Sequence, residues 1–269
     1  MTFLFNHPSP ITNDQSWSWT VLVKEGRTAA EQMAIDVQLA EAGRPAFRLF
    51  RWARPAVSLG LKQPAPAWVD ADRLARHNIE LVERPTGGAL AVHGSDLSCS
   101  IVIPVDCRLT LQELMQRVCG TVVRAVAVFD VAARHVVEGP GTRVEYCLTE
   151  ESPYAIMVGA RKLCGFAVRR YADQWLIQGS LLMRALPEAF SRVMPQAVME
   201  GFQTRAISLE QAAGGPTTDQ ELVIRMIEAW AQTWRFGAPV RPCTSAPEHR
   251  QIEPQANGLT GERADGYAV

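Results

Sequence analysis

Three short stretches carry one signature: a threonine, then a glutamate three residues later, just ahead of a helically spaced apolar run. They are Thr28 with Glu31, Thr110 with Glu113, and Thr218 with Glu221. In such a pair the hydroxyl accepts a backbone N–H of the first turn while the carboxylate accepts the threonine's own, so each pair fixes a helix start. The first helix carries Met33, Val37 and Ala40. The second, longer one carries Leu111, Leu114, Met115, Val118, Val122, Ala125 and Phe129 near one face. The third carries Leu222, Met226, Ile227, Trp230 and Trp234. Shorter helices are expected from Asp70 to His77 and from Pro187 to about Glu200. The intervals hold consecutive strand-like runs bounded by Gly and Pro: Ala46–Trp52, Ala56–Leu61, Ile79–Arg84, Ala89–His93 and Leu97–Pro104, then Tyr154–Val158, Lys162–Arg170 and Gln174–Leu182. Gly159-Ala160 and Tyr171-Ala172-Asp173 read as the tight turns of an antiparallel meander. Strands gathered in groups with helices segregated between them predict an α+β fold, not a strictly alternating doubly wound one. From about Gly237 the periodicity stops and Pro, Gly, Gln and Glu accumulate. The expectation is one domain over residues 1–236 and a mobile tail over 237–269.

Composition narrows the function. Of 269 residues, 47% are apolar and 20% charged, enough for a sizeable core. Lys+Arg number 27 against 28 Asp+Glu, a net charge of -1. A nucleic-acid binder carries a marked basic excess, so none is expected as partner. The best apolar stretch, Val122 to Val131, is cut by Arg124 and Asp130, and no run approaches a membrane span. The first residues lack a basic segment and a cleavage pattern, so a cytoplasmic location is expected. The six cysteines (Cys99, Cys107, Cys119, Cys147, Cys164 and Cys243) include no Cys-x-x-Cys pair, and the histidines show no metal-ligand spacing. Neither a disulfide framework nor a metal site is expected.

Two segments hold chemistry-bearing residues at close spacing. Glu83-Arg84-Pro85-Thr86-Gly87-Gly88-Ala89, running on to His93 and Gly94, lies between two strand candidates. Paired glycines let backbone approach a ligand, and Arg84 offers a forked donor to a carboxylate, phosphate or carbonyl. Taken alone, the segment reads first as a hairpin turn with a surface arginine. The second segment runs from Cys147 through Thr149-Glu150-Glu151-Ser152 to Lys162. Cys147 sits in polar loop, whereas Cys99, Cys107, Cys119 and Cys164 lie in or beside apolar runs and read as inert small residues. Lys162 follows the Gly159 turn and is one of only three lysines, with Lys24 and Lys62, in a chain otherwise using arginine. A loop cysteine folded against an ammonium gains thiolate character and becomes an acyl-transfer nucleophile.

The ordered set Phe50-Arg51-Trp52, Ser58-Leu59-Gly60 with Gln63, Arg84-Pro85-Thr86-Gly87-Gly88, His93, Cys147, Gly159-x2-Lys162-x2-Gly165, Gln178-Gly179-Ser180 and Ala206-Ile207-Ser208-Leu209-Glu210 resembles the biotin/lipoate protein ligase superfamily over about residues 20–235. With a cysteine at 147, the chain is most similar to the cysteine-dependent octanoyltransferases. The resemblance implies a catalytic domain of mixed, largely antiparallel sheets flanked by helices, with an acyl tunnel. It also implies transfer of octanoyl from acyl carrier protein to a lysine of a lipoyl domain or glycine-cleavage H-like protein. On that reading Cys147 carries the acyl group as a thioester and Lys162 holds the carbonyl. Arg84, Thr86, Gly87 and Gly88 stand at the tunnel mouth, His93 near the reacting end, and Ser58, Gly60, Gly165 and Ala167 shape the tunnel. No cofactor is then required.

The chain departs from that pattern in five places. Glu83 replaces the first of two arginines, Ala89 a third glycine, Gly94 an aspartate after the histidine, Phe166 a serine, and Gln178 a histidine. A carboxylate in place of a cation about 6 Å from a phosphate costs about 2–3 kcal/mol at an effective permittivity near 20. Strand alternation puts Glu83 and Arg84 on opposite faces and relieves part of that. Two rivals stay open: an ATP- and Mg-dependent lipoate ligase that forms lipoyl-AMP with Cys147 as bystander, and a non-catalytic relative that binds an acyl group or carrier domain.

Overall fold

The computed structural model describes the backbone of residues 2–8, 16–105, 109–136, 146–149, 152–171 and 173–234. The expected tail over 237–269, Cys107 and Cys243 lie outside these. Along the chain run β1 (Thr2–Pro8), β2 (Ser16–Arg27), α1 (Ala29–Glu41), β3 (Ala46–Trp52), β4 (Ala56–Leu59), α2 (Ala71–Arg76), β5 (Glu80–Glu83), β6 (Ala91–His93) and β7 (Asp96–Pro104). There follow α3 (Leu111–Ala127), β8 (Ala133–His135), β9 (Ile156–Val158), β10 (Arg161–Tyr171), β11 (Gln174–Leu182), α4 (Gln196–Arg205), α5 (Leu209–Ala213) and α6 (Asp219–Trp234). Eight strands form one sheet in the order β1-β2-β3-β7-β11-β10-β9-β8, and three form a second in the order β5-β4-β6. Among the described strands β2 pairs with β3 and β4 with β5 in parallel, and the other strand pairs are antiparallel. The fold is α+β with mixed, largely antiparallel sheets, as the segregated pattern predicts.

Local chemistry sets the boundaries. Thr28 and Thr110 each close a reciprocal cap with Glu31 and Glu113, and the Thr218 hydroxyl accepts the Glu221 N–H at 3.2 Å. Asp70 caps α2 by accepting the Arg73 N–H at 2.6 Å. The single helix expected from Pro187 to Glu200 is instead a 3-10 turn, Glu188–Arg192, followed by α4. Pro195 has no N–H to continue the first helix but suits the start of the next. Four elements escaped the sequence reading: β1, β2, β8 and α5. Helix α5 is capped by Ser208 with Gln211, the amide serving where glutamate was sought.

Helices α3 and α6 cover one face of the large sheet. Trp19, Phe47, Trp230 and Trp234 pack there, Phe47 stacked on Trp230 at 4.3 Å and Trp19 edge-on to it at 5.0 Å. Burial of such rings removes large apolar areas from water and fixes α6 to β2 and β3. The opposite face carries α1, with Met33 against Phe50 and Trp52. Beside it lies the small sheet, whose own core joins Val57, Leu74, Val92, Phe190 and Phe202 to Leu182 of β11. The two sheets therefore face each other across a seam lined by residues of β3, β7, β11 and β10. No helix among the described residues is long and apolar enough to cross a membrane.

Candidate active site

The seam holds a half-open cavity of about 40 Å³, bordered by Met33, Phe50 and Trp52, by Ser58, Arg84 and His93, and by Cys147, Gly165 and Ala167. Its mainly apolar wall with a few convergent polar groups is the usual form of a small-ligand site. Cys147 reaches it because its N–H donates to the Leu90 carbonyl at 2.8 Å, where Leu90 and Tyr146 bridge in parallel. Lys162 stands behind the Gly165 part of the wall, on β10, where the register against β9 shifts between residues 162 and 164. Such a bulge re-aims a side chain. Lys162 is only 1% exposed, and its Nζ donates to the Ser152 hydroxyl at 2.8 Å.

Gly165 brings the two together. A Cβ placed on it would lie 2.6 Å from the Cys147 sulfur, 3.2 Å from Lys162 Cε and 3.5 Å from Lys162 Nζ. Sulfur and ammonium nitrogen therefore flank one point, separated by no more than the sum of their distances from it. Gly60 serves the same purpose on the loop side: its Cβ would lie 2.1 Å from the Gly88 carbonyl oxygen. Only a residue without a side chain allows that approach.

Arg84 does not lie on the surface. It is buried, and its guanidinium donates to the Ser58 carbonyl at 3.1 Å, the Ser58 hydroxyl at 3.3 Å, the Gly87 carbonyl at 2.7 Å and the Ala89 carbonyl at 2.6 Å. Burial pushes it down to about 10, with the neighbouring Cys147 sulfur pulling the other way, so it stays cationic at neutral pH. Thr86, Gly87 and Gly88 stand behind the cavity wall and not in it. The Thr86 hydroxyl donates to Gln178 Oε1 at 2.5 Å, and Gln178 Nε2 donates to Asp36 at 2.6 Å. Asp36 in turn is paired with Arg48 at 2.5 Å, both side chains fully buried. The glycine loop is thereby tied to α1 and β3 through one continuous polar chain.

His93 is held on three sides. Its ring stacks on Trp52 with centroids 4.0 Å apart. Nδ1 faces Asp96 at 2.9 Å and Nε2 faces the Ser58 hydroxyl at 2.8 Å. Asp96 also accepts from the Ser98 and Ser180 hydroxyls, each at 2.7 Å, and from the Gly94 N–H at 2.9 Å. Burial alone would raise its carboxyl; the charge of His93 and the hydrogen bonds from His93, Ser98 and Gly94 together hold it below the ordinary carboxylate range. Cys99 also borders the cavity, but burial pushes its thiol up to about 12, and Cys119 and Cys164 are raised as well. Burial thus disfavours the thiolate form of all three.

A family model, the lipoyl protein ligase A/B catalytic domain, matches residues 28–231. The chain belongs to that family. Among curated relatives, an octanoyltransferase LipM of Symbiobacterium thermophilum is 30% identical over 75% of this chain and 81% of its own. An octanoyltransferase LipM of Kyrpidia tusciae is 26% identical over 88% of this chain and 94% of its own. Two solved folds are similar. A lipoate-protein ligase A bound with ATP shares 22% identity at a TM-score of 0.65, over 80% of this chain and 85% of that one. A bi-partite lipoate protein ligase of Thermoplasma acidophilum shares 19% identity at a TM-score of 0.61, over 80% and 83%.

Within this lipoyl ligase family the chain's departures have local causes. Glu83 is exposed and accepts the Lys62 N–H at 3.0 Å, turned away from buried Arg84 as strand alternation requires. Gly94, at φ +118, lets the chain turn so that the carboxylate two residues on, Asp96, folds under His93. Gln178 is the link between the glycine loop and Asp36. The Phe166 ring fills the space left by Gly179, whose Cβ would lie 2.5 Å from it. Sequence reasoning missed Ser152 and Asp96. Ser152 had no signal beyond loop polarity, whereas Asp96 sits three residues after a singled-out histidine across a glycine turn.

Proposed function

We propose that this chain is an octanoyltransferase that moves an octanoyl group from acyl carrier protein to a lysine of a lipoyl-carrier protein through a thioester on Cys147. The observation that carries this reading is the approach of the Cys147 sulfur and the Lys162 amino group to one point over Gly165, with Cys147 and Gly165 bordering a mainly apolar cavity. The LipM octanoyltransferases it resembles over most of its length support the substrate class.

In loading, the Cys147 thiolate attacks the donor thioester; a C–S bond forms at Cys147 and the carrier's C–S bond breaks. In transfer, the acceptor amine attacks the Cys147 thioester; a C–N bond forms and the thiolate departs. Each step passes through a tetrahedral oxyanion, which the compact Lys162 ammonium stabilises by charge and hydrogen bond. Ser152 holds that ammonium in place. The acyl chain lies along Phe50, Ala91, Gly165 and Ala167. On this reading ATP takes no part, because the acyl group arrives already activated as a thioester.

The test is incubation with octanoyl-acyl carrier protein without ATP, followed by intact mass and then addition of a lipoyl domain. The expected result is an octanoyl adduct on Cys147 that disappears as the domain is labelled, and no labelling with Cys147→Ala. Labelling that requires ATP and leaves no adduct would mean a ligase. No labelling under either condition would mean a non-catalytic carrier-binding protein.

A further inference from the structure

Cys147 lies in a turn, not in a strand or helix, so regular structure does not hold its sulfur in place. The tolerance for error is small, because a Cβ on Gly165 would already lie 2.6 Å from that sulfur. The cysteine's own backbone has one tie, the N–H it gives to the Leu90 carbonyl at 2.8 Å. The residue before it is held from several sides. Tyr146 bridges Leu90 in parallel, and its carbonyl accepts the Thr149 N–H at 3.3 Å. Its ring meets Phe202 of α4 edge-on, with centroids 6.3 Å apart. Its hydroxyl accepts the indole N–H of Trp68, 78 residues earlier in the chain, at 3.1 Å.

Trp68 is a fixed point from which to hold it. It lies in the segment between β4 and α2 and packs, like Tyr146, against the core of the small sheet. That segment is tied along its length. The Leu61 N–H donates to the Thr86 carbonyl of the glycine loop at 2.8 Å, the Gly60 N–H to Gln63 Oε1 at 2.9 Å, and the Val69 N–H to the Pro66 carbonyl at 2.9 Å. Asp70 then caps α2. An indole N–H only donates, whereas a phenol also accepts, so the direction of the Trp68–Tyr146 bond is set by its chemistry. Both partners are rigid rings with few torsions to freeze. Neither is among the residues that border the cavity, so neither touches the acyl group, and any effect on transfer passes through Cys147.

We infer that the Trp68–Tyr146 hydrogen bond is a latch that positions the Cys147 sulfur over Gly165 for acyl transfer. This rests on the thioester reading above. Trp68 and Tyr146 are positioning residues. Without the bond, Tyr146 keeps its bridge to Leu90 and its contact with Phe202, so the fold survives while the turn that carries the sulfur gains freedom. Attack on a thioester already seated in the cavity needs the sulfur in line with the carbonyl. A small free electrophile adapts its own approach to wherever the sulfur points. The latch therefore matters to the first reaction and not to the second.

The experiment compares the two reactions in the full-length chain for unmodified protein, Trp68→Phe, Tyr146→Phe and the double variant. Each single change removes one partner of the bond and keeps a ring in place. Single-turnover loading from octanoyl-acyl carrier protein is followed by intact mass over a range of donor concentrations. Alkylation of Cys147 by iodoacetamide is followed by peptide mass. Each single variant should lower the maximal loading rate about three- to tenfold, as for loss of one hydrogen bond, with the donor concentration at half-saturation and the alkylation rate unchanged. The double variant should load no more slowly than either single one, because both changes break the same contact. Loading by Trp68→Phe at the unmodified rate overturns the latch, as do losses that multiply in the double variant or alkylation that slows in step with loading. If Tyr146→Phe does not fold, the contrast between loading and alkylation in Trp68→Phe decides alone. An unmodified protein that never acquires the octanoyl adduct refutes the thioester reading and the latch with it, an outcome seen before any variant is compared.

Discussion

Gly165 and Cys147 are in direct contact: a single carbon added to the glycine would lie 2.6 Å from the cysteine sulfur, well inside van der Waals separation. Gly165→Ala must therefore push the sulfur, or the Lys162 stem 3.2 Å away, out of line. Displacement of a reacting atom by about 1 Å costs on the order of 100-fold in rate. Loading of Cys147 followed by time-resolved intact mass should show that loss, while the far-ultraviolet circular dichroism stays that of the unmodified chain. Loading at the unmodified rate would mean that the contact does not exist in solution.

Lys162 gives a second expectation. Its ammonium sits in a nearly closed space with Ser152 as a hydrogen-bond partner. A guanidinium has the same charge but a wider, planar head. Lys162→Arg should lower both loading and transfer despite the conserved charge, and Lys162→Met should lower them further. Ser152→Ala removes one hydrogen bond, worth about 0.5–1.5 kcal/mol, and should reduce the rate about three- to tenfold without abolishing it. Stopped-flow loading rates for the three variants check the order. Full activity in Lys162→Arg would refute the compact-ammonium role.

Most of the fold was legible because it is written in local chemistry: β3 and β11 run between the residues that alternation and Gly/Pro punctuation mark, and α1 and α3 start where their threonines cap them. The pieces that escaped are those whose signal is weak or long-range. β8 has three residues, and α5 five. In the site, Cys147, Lys162 and Gly165 were found together because they sit at fixed spacing in one segment. The polar chain Thr86–Gln178–Asp36–Arg48 joins four elements distant in sequence, so no spacing could announce it. Arg84 was legible as a donor but not as a buried one, since its acceptors are backbone carbonyls that any sequence would supply.

That same chain carries a stability prediction. Asp36 and Arg48 are paired with no exposure to solvent, and Ser100 adds a hydrogen bond to Asp36 at 2.6 Å. Removing one partner strands the other charge, at a cost of about 3–5 kcal/mol. Arg48→Met should lower the denaturant midpoint accordingly. Gln178→Leu leaves Asp36 paired with Arg48 but deprives it of one donor, and should cost about 1–3 kcal/mol. Urea unfolding of the two variants gives the comparison. Equal, negligible losses would mean that the buried chain does not bind the glycine loop to α1.

The cleft's other carboxylate sets the response to acid. His93 and the hydrogen bonds it receives hold Asp96 below its ordinary value of 3.8, against the opposing effect of burial. A carboxylate depressed on folding contributes stability that is fully present above its unfolded pKa and is lost as pH falls through the folded one. The stability difference between unmodified protein and Asp96→Asn should therefore be constant from neutral pH down to about pH 5, and shrink below about pH 4 as the unmodified protein takes up its proton. Asp36, whose carboxyl burial raises, titrates with the opposite sign and is common to both proteins, so it cancels in the difference. Thermal melts of the pair at matched ionic strength between pH 3 and pH 7 provide the measurement. A difference that grows toward low pH would reverse the sign and show that Asp96 is protonated in the folded protein.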